Sequence, residues 1–336
     1  MPESEVDATA EPMAGASAKF EIHVAGVAGY CWGVRLAVDK AFEVARAGAA
    51  AGVPTFSVGP VIHNTQTVER LEAEGMRTVA AAEDVPDSGR ALVRAHGAPR
   101  GTAEALARRG VAVADATCPY VTLPQKYAAK LAGDGYHVVV VGDPDHAEIK
   151  GVLSHAAPER RSVVRDAAEL RALDREGGIH SRKVALLSQT TLQRSRFAEV
   201  CAAAAELFHE VRAVNTVCND TEMRQAAAES LAARCDHVVV LGGRHSANTR
   251  HLADVARAAG AAAVHVERPE EVDAAFVAGA RHVGITAGAS TPTDLIDALV
   301  ARLVGFGGAP VDVGRTDGAD AAVVASVAEN AVDFEG

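Results

Sequence analysis

Aromatic side chains make up only 4% of this 336-residue chain, with a single tryptophan. A core with so few rings must rest on Ala, Val and Leu, in a sequence that is still 49% hydrophobic. Positive charge is also short: 33 Lys and Arg stand against 44 Asp and Glu, a formal net charge of −11. That balance argues against a nucleic-acid surface and against a basic membrane patch. No apolar run reaches the ~18 residues that a transmembrane helix needs. The N-terminal stretch MPESEVDATAEPMAGASAKF is acidic and lacks an apolar segment, so it reads as neither a signal peptide nor an Arg-rich transit peptide. Residues 1–19 read instead as a disordered tail. Neither a P-loop nor a GxGxxG is present, and the turns GDP and LGG are too generic to indicate a nucleotide. Cysteines number only five and are widely spaced. In a chain without an export signal they read as reduced thiols in a cytoplasmic protein rather than a disulfide framework.

What the sequence does contain is organised around VAVADATCPYVTLP, residues 111–124. A short β-branched run ends at Asp115, and Cys118 is followed by Pro119, a residue suited to the first turn of a helix. Cys118 therefore falls where a strand gives way to a helix, the edge at which α/β proteins bind ligands. Cys31, in AGYCWG after FEIHV, and Cys218, in VNTVCND after FHEVRAV, fall in the same kind of place. The interval from Cys31 to Cys118 is close to that from Cys118 to Cys218.

This is a faint threefold repeat in layout. The first polar loop of each unit follows its cysteine at a similar offset and carries His63, His146 with Glu148, or Ser246 with Asn248. A later loop, again at a similar offset in each unit, carries His96, Thr190 or Ser290. Apolar runs bounded by Gly and Pro and alternating with helical patterns predict buried parallel strands. The fold class is thus α/β: three similar small parallel-sheet lobes of about four strands each around a pseudo-threefold axis. The expected boundaries are 20–117, 118–214 and 215–305, with the first strand able to pair with the third lobe. Residues 306–336 read as a flexible tail. Right-handed crossovers put the C-terminal ends of parallel strands on one side, so the loops named above share one cavity.

Three cysteines at equivalent places read first as a metal site. Three thiolates can hold three irons of a [4Fe–4S] cluster and leave the fourth open, or hold zinc with a water. Cys201, within a helical run, and Cys235, at a helix end, read as core residues. The Ser, Thr, Asn and His residues of the loops, at helix N-termini, suit an anionic phosphate or diphosphate, although each Ser or Asn alone is as well explained as an N-cap. Arg94, Arg100 and Arg244 are the loop cations. Glu148 is the carboxylate best placed to handle a proton. His23, His137 and His237 flank strands and read as structural.

Taken together, GYCWGV, VIHN, AHG, DATCP, HAEIKG, SQTT, TVCND, HSAN and TAGAS, in this order from about Phe20 to Leu303, resemble the 4-hydroxy-3-methylbut-2-enyl diphosphate reductase family of the methylerythritol phosphate (non-mevalonate) route to isoprenoids. The resemblance implies a three-lobed protein with a central [4Fe–4S] cluster on Cys31, Cys118 and Cys218 and one iron open to the substrate's hydroxyl. It implies reductive dehydroxylation to isopentenyl and dimethylallyl diphosphate, with electrons from ferredoxin or flavodoxin. Glu148 matches the family's proton donor, and Thr190 lies near the hydroxyl. His63, His96, His146, Ser246, Asn248 and Ser290 match the diphosphate pocket. Family members usually carry Ser-Ser-Asn where this chain has Ser246-Ala247-Asn248, and His-Pro-Glu where it has His146-Ala147-Glu148. Ala247 removes a hydroxyl donor and leaves its backbone N–H. The alternatives are a three-cysteine dehydratase or condensing enzyme of the quinolinate synthase type, a non-enzymatic iron–sulfur sensor, and a zinc protein.

Overall fold

The computed structural model describes residues 18–311. The tail expected over residues 1–19 therefore lies outside the described residues except for its last two, and 312–336 lie outside as well. Thirteen strands form three sheets among the described residues, and every pairing is parallel.

The first sheet holds β2 (Thr55–Val58), β3 (Met76–Val79), β4 (Arg90–Val93) and β5 (Ala112–Asp115) in the order β3-β2-β4-β5. The second holds β6 (His137–Val141), β7 (Arg161–Val164), β8 (Lys183–Ser188) and β9 (Glu210–Val214) in the order β7-β6-β8-β9. The third has five strands: β1 (Phe20–Val24), β10 (His237–Leu241), β11 (Ala262–Val266), β12 (His282–Ala287) and β13 (Gly308–Pro310), in the order β11-β10-β12-β1-β13. HVVVV and HVVVL, the inner strands β6 and β10, are buried almost throughout. Such runs have no alternation because helices cover both faces of a parallel sheet.

The strand before each cysteine belongs to the preceding sheet. β5 leads to Cys118 from the first sheet, β9 to Cys218 from the second, and β1 to Cys31 from the third. The connection after Cys31 is α1 (Trp32–Ala51), after Cys118 α4 (Pro119–Gly133), and after Cys218 α8 (Asn219–Ala232). Each cysteine thus stands on the crossing from one sheet to the next, and β1 closes the series by pairing with β12. The sheet holds the chain through Pro310, because β13 adds beside β1. That is past residue 306, where the sequence loses its periodicity and reads as a tail. Three residues ending in a proline are too short to show a strand pattern, and an edge strand tolerates the missing N–H.

The remaining helices are α2 (Thr65–Ala73), α3 (Thr102–Arg108), α5 (Ala147–Leu153), α6 (Ala167–Arg175), α7 (Arg194–Leu207), α9 (Ala247–Ala258) and α10 (Thr293–Gly305). Aliphatic clusters fill the layers between helices and sheets, with Cys235 inside one and Cys201 packed against another.

Candidate functional site

Strand ends and helix starts supply the site. Cys31, Cys118 and Cys218 are each the N-cap of the helix that follows, in extended backbone. The Val34 N–H donates to Cys31 Sγ at 3.3 Å. Helix N-termini aimed at three sulfurs favour their anionic form. Burial works the other way. It is the largest cause of the raised thiol pKa values, about 12 for Cys31 and about 11 for Cys118, with Cys218 also well up. The charge of Asp220 adds to this at all three. Thiolates at this place need a cation, and metal binding is what supplies one.

The cavity that the three cysteines line encloses about 740 Å³ with its mouth. His63, His96, His146, Glu148, Thr190, Ser246, Ala247, Asn248 and Ser290 line it too. Every residue singled out for the site in the sequence is therefore on one wall or another of a single cavity. Among the described residues, the histidine triad is one of two groups whose ligand-type atoms lie within 4.8 Å of one another, and the cysteines are not such a group. Three thiolates on one zinc at ~2.3 Å would stand ~3.8 Å apart. The wider spread suits the larger frame of an iron–sulfur cluster. Glycine makes room for it: a Cβ at Gly33 would sit 2.3 Å from Cys118 Sγ. The residues present fit such a group.

Glu148 is 1% exposed. Its Oε1 accepts from the Thr190 N–H and its Oε2 from Thr190 Oγ1, both at 2.7 Å. Burial raises its pKa to about 7, against the two bonds from Thr190, which lower it. A carboxyl so placed holds or releases a proton near neutrality.

Imidazole and amide line another part of the cavity. Ring centroids of His63 and His96 are 4.4 Å apart, and those of His146 lie 5.5 and 5.3 Å from them. Burial first, then neighbouring positive charge, lowers His63 to about 4; burial likewise lowers His146 to about 4, and His96 lies well below its usual value. All three are neutral at pH 7, so each ring offers one N–H. His63 Nε2, His96 Nδ1 and both side-chain polar atoms of Asn248 are buried without a protein partner. Buried polar atoms of this kind mark where a polar ligand binds.

Ser246 is an N-cap in fact, accepting from the Thr249 N–H at 3.3 Å. Asn248, one position inside the helix from Ala247, is no cap, and Ser290 donates to the His63 carbonyl at 3.2 Å. Gly243 brings the third sheet's loop against the first's: a Cβ there would meet the His63 carbonyl oxygen at 2.3 Å. Of the loop arginines, Arg94 contributes charge to all three histidines. Arg244 pairs outward with Glu271, and the Arg100 backbone N–H bonds Ser154.

Sequence reasoning missed one part. Asp220 lines the cavity and is held by Arg224, fully buried, at 2.6 and 3.2 Å; Arg224 also donates to the Ala287 carbonyl. An Asp-x-x-x-Arg pair directly after a cysteine that opens a helix was the available signal.

Comparison with known proteins adds the following. Residues 22–304 match the family model described as LytB protein. A relative from Anaeromyxobacter sp. (strain K), 4-hydroxy-3-methylbut-2-enyl diphosphate reductase, is 45% identical over 283 residues, 84% of this chain and 98% of the relative. The relative of the same name from Geobacter sulfurreducens is 38% identical over 286 residues, 85% of this chain and 98% of that one. Among solved structures, (E)-4-hydroxy-3-methyl-but-2-enyl diphosphate reductase, the terminal enzyme of the non-mevalonate pathway, is 33% identical with a TM-score of 0.62, covering 85% of this chain and 99% of its own. The Plasmodium falciparum E-1-hydroxy-2-methyl-but-2-enyl-4-diphosphate reductase shares the fold, with a TM-score of 0.80 at 21% identity over 94% of this chain and 99% of its own.

Proposed function

We infer the chemistry from one premise: this chain belongs to the LytB protein family, over residues 22–304. Its reaction is the reduction of 4-hydroxy-3-methylbut-2-enyl diphosphate, the terminal step of the non-mevalonate pathway. The observation that carries the assignment of roles is the Glu148–Thr190 pairing, set between three N-cap cysteines and a wall of unpartnered imidazole and amide groups.

In this reading Cys31, Cys118 and Cys218 would hold a [4Fe–4S] cluster, which would supply electrons and a Lewis-acidic iron. The overall change takes two electrons and two protons. One proton leaves with the hydroxyl as water, and the other ends on carbon at either end of the allyl unit, giving isopentenyl or dimethylallyl diphosphate. Glu148, half-protonated near pH 7, delivers a proton, and Thr190 holds its carboxyl in place by two bonds. His63, His96, His146, Ser246, Asn248 and Ser290 bind the diphosphate, with the Ala247 backbone N–H at the start of α9. Burial of the histidines keeps them neutral until the anion arrives, and the anion then draws protons onto them. Walls of Val34, Ile62 and Val121 restrict water around the reacting carbon. Ferredoxin or flavodoxin delivers the electrons, and the cytoplasm is the compartment that the family implies. No helix among the described residues is long and apolar enough to cross a membrane.

The test is anaerobic turnover with a reduced viologen dye and 4-hydroxy-3-methylbut-2-enyl diphosphate. Dye oxidation with both five-carbon products, lost in Glu148→Gln and Cys118→Ser, supports these roles. Full activity in Cys118→Ser, or in Glu148→Gln, overturns the role given to that residue.

A further inference from the structure

A second group of metal-type ligands stands outside the cavity. Glu21 and His23 share one face of β1, and Glu21 lies directly across from His282, the first residue of β12. The three ligand atoms form an equilateral triangle. Glu21 Oε2 is 3.2 Å from His23 Nε2 and 3.2 Å from His282 Nδ1, and the two ring nitrogens are 3.2 Å from each other.

Hydrogen bonding alone holds such a triangle only when both neutral rings turn an N–H on the one Glu21 oxygen, which the oxygen's two lone pairs allow. A cation at the centre satisfies all three at once. Zinc at ~2.0–2.1 Å from tetrahedrally arranged nitrogen and oxygen ligands sets neighbouring donors ~3.3 Å apart. The observed edge matches that spacing before any metal is added. Two imidazoles and one carboxylate are a donor set for zinc. The fourth position opens to solvent, since the Glu21 and His282 side chains are 51% and 38% exposed.

The backbone fixes the triangle. Glu21 N–H donates to the Arg281 carbonyl at 2.8 Å, and Asp236 Oδ2 accepts from the N–H groups of Arg281 and His282 at 2.7 and 3.0 Å. Ile22 and Phe20, on the other face of β1, are buried in the third sheet's core. Ligands held by a paired strand and a packed face lose little freedom on binding.

We propose that Glu21, His23 and His282 form a zinc site that clasps β1, the first described strand, to its neighbour β12 in the third sheet. The clasp joins the two ends of the described chain, since β1 opens it and β12 is its last strand but one. It also bears on the loop after β1, where the Cys31 N–H is held by the Ala289 carbonyl at 3.1 Å.

Zinc chloride titrated calorimetrically into anaerobic, cluster-loaded full-length protein tests this. Saturable binding of one ion per chain is expected, lost in His282→Asn and His23→Asn, weakened at least tenfold in Glu21→Gln, and kept in His146→Asn. Reductase activity without zinc should be unchanged in the Glu21 and His282 variants, which shows that they fold. Hydrogen exchange of the β1 amides should slow with zinc in the wild type and not in His282→Asn. Binding that disappears in His146→Asn and survives in His282→Asn overturns the proposal in favour of the cavity histidines. So does the absence of saturable binding, and so does β1 exchange that zinc leaves unchanged.

Discussion

Thr190 grips both oxygens of Glu148, one with its backbone N–H and one with its hydroxyl, each at 2.7 Å. The two bonds fix the carboxyl's orientation inside a buried wall without ionising it, because burial outweighs them. Replacing Glu148 by Gln keeps the shape and removes the proton. A loss of roughly 10²–10⁴ in kcat is expected, the range that general acid catalysis supplies. Thr190→Val removes only the hydroxyl bond and should lower kcat less. Steady-state rates across pH check both, and the limb falling above about pH 7 should vanish in Glu148→Gln.

The same carboxyl makes stability depend on pH. Its pKa rises from 4.5 in the unfolded chain to about 7 in the fold. The contribution is fully present below 4.5 and is lost as pH rises through about 7, because the unfolded state releases its proton first. The buried histidines run the other way. His63 and His146 fall from 6.5 to about 4, so their contribution is present above 6.5 and is lost as pH falls through about 4. Denaturant midpoints should show Glu148→Gln gaining on the wild type, by on the order of 3 kcal/mol, between pH 4.5 and 7. His63→Asn should gain between pH 6.5 and 4.

A methyl group at Gly33 would occupy the space of the Cys118 sulfur, 2.3 Å away. Gly33→Ala is expected to fold, with an unchanged far-ultraviolet spectrum, and to hold much less iron after anaerobic reconstitution. Iron and sulfide analysis per chain checks this; wild-type loading would mean that the sulfur has another position open to it.

Arg224, fully buried, pairs at 2.6 Å with Asp220, whose side chain is 10% exposed to the cavity. Arg224→Met leaves the Asp220 charge unpaired beside three cysteines and should destabilise by about 3–5 kcal/mol. Asp220→Asn with Arg224→Met should recover much of that loss. Urea unfolding of the two singles and the double closes the cycle.

Ala247 opens α9 on the cavity wall. Ala247→Ser adds a hydroxyl at the helix N-terminus of the proposed diphosphate pocket. A neutral donor of this kind contributes about 0.5–1.5 kcal/mol, so the diphosphate should bind roughly two- to tenfold tighter. Substrate KM and competition by inorganic diphosphate measure it.

Much of this was legible because chemistry and topology repeat together. A cysteine or polar loop at each strand end announces itself by spacing, and parallel strands send those ends to one side. The runs HVVVV and HVVVL could hardly be anything but buried strands. Three things were hidden. The Asp220–Arg224 pair is two charged residues on a helix, which in a sequence looks like a solvated turn. The exact strand order within each sheet, with the strand before each cysteine at or next to its edge, cannot be read from local pattern, since strands look alike wherever they pair. β13 is three residues with a glycine and a proline, and only β1 beside it makes it a strand.

The pairing of Glu21 with His282 sets a timetable for biosynthesis. The strand that leads to Cys31 docks on β12, which is made only after the strands of the first two sheets. At ~5–20 residues per second that is a wait of roughly 15–50 s. The first two sheets can form in that interval, and the strand that leads to Cys31 cannot dock. A ribosome stalled before β12 therefore carries a nascent chain in which only Cys118 has both flanking elements docked, because α8 after Cys218 packs on the third sheet, and metal delivery belongs after translation rather than during it.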